Sequence, residues 1–352
     1  MNAQDIAEYR SFYGRRDSRP RLNLGSNELL NPRLQALQTL RMGESESPLN
    51  LYPLHGAAIR DASSAFGRSA DELLLAPGSD AAIRGWLAVA RKRGLGRLVL
   101  PVPSYPAWEQ ASDLYDIEIE PIPLMGDNAA DFAAIARAAE LRPSLVALTL
   151  PNAPIAHGSL SAGQALALND ICVNAGSVLV VDLCYAPFHL SADDLVLLTS
   201  RLNTILTFSK AFGLASARIA TMTGAPAIVD LLATAGVENA VSQLALDHLR
   251  LALSQMDSYR SIWSETIVAR DYLRQILLGE AIVVPESEAN FIHAVVDPGH
   301  GVRIVQSLEE VGIRVKTATA TPWRSTVRFA VPYPRDVAEV ASKILEAWRE
   351  SA

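Results

Sequence analysis

Lysine is scarce in this 352-residue chain. Of its 31 basic residues only four are lysine, Lys92, Lys210, Lys316 and Lys343, and the rest are arginine. Codon bias is enough to explain the ratio, yet scarcity makes each lysine's position worth asking about. Cysteine is scarcer still: Cys172 and Cys184 exclude a disulfide framework and lack metal-type spacing, so no metal site is expected. No run of about 18 apolar residues occurs, which argues against a membrane span. The N-terminal stretch through Arg21 is polar, without the apolar core of a signal peptide, so a cytoplasmic protein is expected. Basic runs are absent and the formal charge is 31 − 38 = −7, which makes nucleic acid a poor candidate partner. Missing too are paired histidines of the metalloprotease type, a Walker loop, G-x-G-x-x-G and G-x-S-x-G.

What is present is a foldable globular composition. Apolar residues make up 49% of the chain, ample for a core, and the length suits two domains. Residues 1–50 carry turn signals and only short apolar runs. Beyond them, Ala58, Ile59, Ala62, Ala65 and Phe66 recur at helical spacing up to Gly67, and a second helix is expected from Asp80 through Ile83, Trp86, Leu87 and Ala90. Residues 97–101, 144–150 and 177–182 are near-continuous apolar runs, the pattern of strands covered on both faces. A helix over residues 164–175, closed by Gly176, separates the last two. Further strands are expected at 204–208 and 219–222. Such alternation predicts an α/β sheet flanked by helices. Residues 240–275 read as one long helical segment. The tail, 282–352, reads as a small α+β domain with strands near 292–296 and 327–331 and helices near 301–311 and 336–349.

In open α/β sheets ligands sit beyond the carboxyl ends of the strands. Gly78-Ser79-Asp80 opens a helix there: its free N–H groups could hold a phosphate, or Ser79 or Asp80 could simply be the helix cap. Asp182 ends the most apolar strand, so its carboxylate needs a partner or solvent. Tyr185 follows three residues later. Lys210 has no acidic neighbour in sequence. Apolar surroundings would lower its pKa and make it a usable amine nucleophile, while the alternative is a lysine snorkelling from a strand end. Thr207, Ser209 and Arg218 around it could form a phosphate cup. His157, His189 and His293 are isolated and read as structural.

Together these pieces resemble the pyridoxal-phosphate (PLP) enzymes of the aspartate aminotransferase fold, fold type I, and most closely the histidinol-phosphate aminotransferases. The similarity runs in order from Leu22-Asn-Leu-Gly-Ser-Asn-Glu28 to Val327-Arg-Phe-Ala-Val331. Its most specific block is Thr207-Phe-Ser-Lys-Ala-Phe-Gly-Leu-Ala-Ser-Ala-Arg218. The resemblance implies Lys210 as the Schiff-base lysine, with Thr207, Ser209 and Arg218 on the cofactor phosphate and Gly78, Ser79 and Asp80 at the phosphate-binding helix start. It implies Asp182 on the pyridine nitrogen, where it would keep the electron sink protonated, Tyr185 on the phenolic oxygen, and Tyr105 stacked on the ring. Arg328 would clamp the substrate carboxylate, with Asn27 and Lys316 as further substrate contacts. Tyr52 matches a tyrosine that reaches the neighbouring subunit's phosphate, which implies a homodimer. The implied architecture is a large domain with a mostly parallel sheet (46–245), an N-terminal arm with part of the small domain (1–45), and a linking helix with the C-terminal small domain (246–352).

One segment departs from the family. Where the pattern is Asn-Pro-Thr-Gly, this chain reads Asn152-Ala-Pro-Ile-Ala-His-Gly158, so Ala153 stands in the asparagine slot with Asn152 beside it. Leu183 also replaces a usual glutamate. The first expectation is therefore an aminotransferase acting on an amino acid or an amino-alcohol phosphate. Other outcomes on the same cofactor are decarboxylation, elimination, cyclisation or oxidation of an amino acid in a specialised pathway. A non-catalytic PLP-binding module is the remaining alternative, against which the joint presence of Lys210, Asp182, Tyr185 and Arg328 counts.

Overall fold

The computed structural model describes residues 20–40, 50–126, 129–236, 238–317 and 326–351. A two-residue strand, β1 (Leu22–Asn23), precedes the main sheet, which is built from β2 (Leu73–Ala76), β3 (Arg97–Val102), β4 (Glu118–Pro123), β5 (Leu145–Thr149), β6 (Val178–Asp182), β7 (Asn203–Thr207) and β8 (Ala220–Thr223). Their order is β2-β8-β7-β6-β5-β3-β4. All neighbours pair in parallel except β8, which is antiparallel to both β2 and β7. The apolar runs that marked these strands follow from burial on two faces. Val99, Val146, Leu148, Leu179 and Val181 point into one helical layer, with helices His55–Ala65, Phe132–Leu141, Ala162–Asn174 and Gln243–Leu253. Leu98, Leu100, Leu145, Ala147 and Val180 point into the other, with Ser79–Lys92, Pro106–Leu114 and Pro226–Ala233.

A second core lies apart. Strands β9 (Phe291–Val295), β11 (Lys316–Thr317) and β12 (Thr326–Ala330) form an antiparallel sheet in the order β11-β12-β9, while β10 (Ile313–Arg314) pairs in parallel with β1. Leu24, Leu273, Leu277, Ile292, Phe329 and Ile344 bury together there, so the N-terminal arm and the C-terminal tail share one core. The fold is thus the expected α/β one, a large mostly parallel sheet flanked by helices with a smaller α+β unit.

The single helix expected over 240–275 is in fact two, Gln243–Leu253 and Met256–Gly279. The break follows from side chains that compete for main-chain groups. Ser254 Oγ donates to the Leu251 carbonyl at 2.8 Å, and Gln255 Nε2 donates to Leu251 at 3.2 Å and across to the Leu37 carbonyl at 3.0 Å. None of the described helices is long and apolar enough to cross a membrane.

Candidate active site

The carboxyl ends of β5, β6 and β7 form a common rim, where Thr149 stands opposite Asp182 and Asp182 opposite Ile205. Asp182 is 1% exposed. Its carboxylate accepts the Cys184 N–H at 3.0 Å and the Cys184 thiol, but no cation pairs with it among the described residues. Burial, with a contribution from the Asp80 charge, pushes its pKa up to about 7. A carboxyl kept this dry either keeps its proton or takes a cationic partner.

Lys210 follows β7 in a turn whose flanking residues Phe208, Ala211 and Phe212 are fully buried. Its Nζ donates to the Ser26 carbonyl at 2.8 Å. Burial, reinforced by the Arg328 charge against the opposing pull of Cys184, brings its pKa down to about 8. The amine is therefore a substantial fraction neutral in mildly alkaline solution, as a nucleophile or base must be. The half-buried amine is held on a main-chain carbonyl.

The phosphate end is assembled from the helix Ser79–Lys92 and the turn after Lys210. Gly78 is the N-cap and makes no side-chain cap bond, so neither Ser79 nor Asp80 acts as a simple cap and the first N–H groups of the helix stay available. Gly78 has φ +86°, and a Cβ there would lie 2.6 Å from Arg218 Nη2. Arg218 itself takes a left-handed φ of 53°. Its guanidinium reaches Ser209 Oγ at 3.3 Å and Asp80 at 3.7 Å, while Thr207 Oγ1 donates to Ser209 Oγ at 3.1 Å. Tyr105 is tied in by its hydroxyl, which donates to Asp80 at 2.7 Å. Helix N-terminus, guanidinium and two hydroxyls thus bring together the donors that a phosphate takes.

The opposite wall comes from the small core and the N-terminal arm. Arg328, on β12, donates from Nη2 to the Gly25 carbonyl at 3.0 Å and lies 5.4 Å from the Phe291 ring centroid. Its buried Nε has no partner among the described residues. Tyr185 packs edge-on against Phe291 with centroids 5.3 Å apart, and its hydroxyl accepts from Asn27 Nδ2 at 3.0 Å. Burial raises the phenol's pKa above its ordinary value, so it stays protonated. Asn27 is itself left-handed, φ 52°, and Asn290 Nδ2 anchors its carbonyl at 3.1 Å. Asn152 is 4% exposed with an orphan Nδ2.

Lys210, Asp182, Tyr185, Asn27, Arg328, Thr207, Ser209, Arg218, Gly78, Ser79, Asp80 and Tyr105 are thus linked around one rim. Lys316 stands opposite Arg328 in the β11–β12 register, one strand out from it. Tyr52 is not drawn in: it is 94% exposed on the chain's surface. Residues that sequence reasoning passed over include Gly25 and Ser26, which act through main-chain carbonyls, and Phe291 beneath Arg328. His293, read as structural, is the β9 register partner of Arg328; its Nε2 donates to the Pro154 carbonyl at 2.8 Å and its Nδ1 lies 3.2 Å from Thr326 Oγ1. Burial and the Arg328 charge pull its pKa down to about 4. It is neutral at ordinary pH, so Nε2 carries the proton toward the Pro154 carbonyl.

The family model of aminotransferase class I and II matches residues 19–344. The chain belongs to this family. Among relatives of this aminotransferase, the histidinol-phosphate aminotransferase of Syntrophus aciditrophicus is 27% identical over 340 residues, 92% of this chain and 91% of that one. That of Mycolicibacterium vanbaalenii is 30% identical over 172 residues, a match spanning 47% of this chain and 46% of that protein. In solved structures the same fold recurs. The histidinol-phosphate aminotransferase of Sinorhizobium meliloti, in complex with pyridoxal-5'-phosphate, superposes with a TM-score of 0.80 at 19% identity, covering 97% of this chain and 94% of that one. The L-threonine-O-3-phosphate decarboxylase of Porphyromonas gingivalis gives 0.74 at 19% identity, covering 94% and 99%. The aminotransferase fold of type I that the motifs implied is the fold of this chain.

The residues present fit PLP. The cradle at Gly78 would be closed by any Cβ, the helix N-terminus has no cap of its own, and the buried Asp182 carboxylate awaits a cation. As a member of this family the chain is a PLP-dependent enzyme.

Proposed function

We propose that the protein is an aminotransferase that uses PLP to move the amino group of an amino acid or amino-alcohol phosphate, in the manner of its histidinol-phosphate relatives. The observation that carries the reading is the meeting of a half-buried amine whose pKa is brought down to about 8, Lys210, with a buried carboxylate, Asp182, that no cation pairs with among the described residues, on one rim. When bound, the cofactor supplies an electron sink for charge developing at the substrate's α-carbon. Gly78, Ser79, Thr207, Ser209 and Arg218 hold its phosphate. Asp182 would hold a proton on its ring nitrogen. Tyr105 would cover the ring, and Tyr185 and Asn152 would serve its phenolic oxygen. Arg328 offers Nη2 and the unpartnered Nε side by side, the two parallel donors that a carboxylate takes bidentately. Lys210 takes the proton from the substrate's α-carbon and returns one to the neighbouring atom. Asn27 braces the Tyr185 hydroxyl, and Lys316 adds positive charge beside Arg328 for an anionic substrate tail.

The family's Asn-Pro-Thr-Gly is replaced here, and a PLP decarboxylase shares the fold, so a lyase, cyclase or oxidase outcome is the second reading. A panel of amino acids and amino-alcohol phosphates, offered to the PLP-loaded protein, separates the two. Conversion of the cofactor to pyridoxamine phosphate with release of a carbonyl product is expected. Release of CO2 or ammonia without pyridoxamine phosphate would replace the transaminase reading by the second.

The working unit is a cytoplasmic homodimer in this proposal. Tyr52, 94% exposed between Leu51 and Leu54 at 59% and 57%, supports it, because an aromatic flanked by exposed leucines is a surface suited to burial against another copy. Tyr52 would then reach the neighbour's phosphate cradle. The PLP-binding domain would span 46–245, with the arm 1–45 and the tail 246–352 contributing the small domain. The shared core of Leu24 with Ile344 supports that division.

A further inference from the structure

The segment where the chain departs from its family is closed by a residue that no motif points to. Asn152 donates its backbone N–H to Ser159 Oγ at 3.1 Å, and Ser159 donates its hydroxyl to Glu288 Oε2 at 2.6 Å. Glu288 in turn donates its own N–H to the Ala156 carbonyl at 2.6 Å, and the Ala156 N–H bonds back to the Asn152 carbonyl. Glu288 therefore grips the loop at both its middle and its end, and Asn152 is the loop's first residue. The other Glu288 oxygen faces His189 Nδ1 at 3.9 Å.

The polarity of this chain is set by chemistry. The Ser159 hydroxyl has one proton to give and spends it on Glu288, keeping its lone pairs for the Asn152 N–H. Asn152 is thereby held in one orientation, buried at 4% exposure, with Nδ2 lacking any acceptor among the described residues. Two residues earlier, the Leu150 N–H donates to the Asp182 carbonyl at 2.8 Å, which places the start of this loop at the Asp182 end of the rim. A buried donor without an acceptor is costly unless something supplies one.

We propose that Glu288 is a positioning residue: acting through Ser159, it fixes Asn152 so that Nδ2 serves the cofactor's phenolic oxygen in place of the asparagine that Ala153 has displaced. This rests on reading the site as a PLP site. A donor on the phenolic oxygen withdraws charge that would otherwise retain the proton shared with the Lys210 nitrogen. Losing the donor therefore raises the pH at which the visible band of the bound cofactor titrates.

The test is that titration, together with PLP affinity, in the PLP-loaded protein. Asn152→Ala, Ser159→Ala and Glu288→Ala should each move the midpoint upward by about one pH unit and weaken PLP roughly tenfold, the effect of one hydrogen bond to a charged oxygen. Glu288→Gln keeps an oxygen that accepts from Ser159 and should stay close to wild type. The double variant Asn152→Ala/Glu288→Ala should match Asn152→Ala alone, because both remove the same contact. A Ser159→Ala or Glu288→Ala protein that binds PLP and titrates like wild type overturns the proposal, as does an additive double variant or an unshifted Asn152→Ala. Should Glu288→Ala fail to fold, Ser159→Ala and Glu288→Gln decide alone. Wild-type protein that takes up no PLP overturns the site reading as well, whereas normal loading with unshifted variants overturns only the role of Glu288.

Discussion

The two ends of the site are built on different terms. At the phosphate end, Gly78, Asp80, Ser209 and Arg218 contact one another within the large sheet's own rim, and each falls on a family motif. At the other end, the segment carrying Asn152 departs from the pattern and is tied outward, by Glu288 and His293, to the strand β9 region that also carries Arg328's neighbours. The difference teaches where such an enzyme can change. Anchoring of the cofactor depends on a closed, local set of contacts. Its electronics depend on a loop whose geometry is set from the small domain, and that loop can be rebuilt without disturbing the anchor.

The harshest way to break the anchored end is Lys210→Ala. Loss of the visible band and a fall in turnover of roughly 10³-fold or more are expected, since nucleophile and base go together. Spectra and single-turnover assays check it. Asp182→Asn should also cripple turnover, by roughly 10²-fold, yet stabilise the cofactor-free protein at pH 8. The sign follows from a folded pKa raised from 3.8 to about 7. A group so shifted contributes its stability fully below the unfolded value and loses it as pH rises through the folded one, here an effect on the order of 2–4 kcal/mol. Denaturant unfolding at pH 5 and pH 8 measures it, and equal losses in wild type and variant would sink the idea.

Gly78→Ala comes next. Its Cβ would press on Arg218 in a left-handed backbone, so PLP affinity should fall roughly tenfold to hundredfold while the fold persists at a cost of about 1 kcal/mol. Equilibrium binding of PLP reads the first and thermal unfolding the second. At the departing end, His293→Gln probes the tie to Pro154. The wild-type histidine, with its pKa lowered from 6.5 to about 4, contributes stability above pH 6.5 that is lost as pH falls through about 4. The variant should lack this acid-side loss, on the order of 1–3 kcal/mol, visible in melting curves between pH 7 and 4. The mildest change is Tyr52→Ala, for which a few-fold loss of PLP affinity with an unchanged monomer fold is expected. Affinity that is unchanged in a sedimenting dimer would remove Tyr52 from the neighbour's site.

How much of this was legible in the residues differs between the same two ends. Thr207 to Arg218 was legible through its resemblance to the family's motif; the residues alone left Lys210 open between a nucleophile and a snorkelling lysine. Asp182 was marked as a charge ending an apolar strand, and its role came from the same resemblance. The strand β4 (Glu-Ile-Glu-Pro-Ile-Pro) was not, since prolines and alternating acids at a sheet edge mask the strand pattern. The break at Ser254 and Gln255 was hidden because it depends on a carbonyl at Leu37, far away in sequence. Glu288 was invisible for a similar reason: its bond to Ser159 spans 129 residues and uses a glutamate of ordinary local context.

The arm that crosses the site has a consequence for anyone mapping this enzyme by alanine scanning. Gly25 and Ser26 engage Arg328 and Lys210 through carbonyl oxygens, which every amino acid supplies. A Cβ at Gly25 would meet Val315 only at 3.4 Å and Lys316 at 3.5 Å, ordinary contact distances. Side-chain replacement at Gly25 should pass almost unnoticed, and at Ser26 it removes the hydroxyl that accepts from Asn23 Nδ2 at 3.1 Å, so the scan would miss what the main chain of both residues does toward Arg328 and Lys210. Only a change to the backbone itself, such as swapping an amide for an ester, would reveal them.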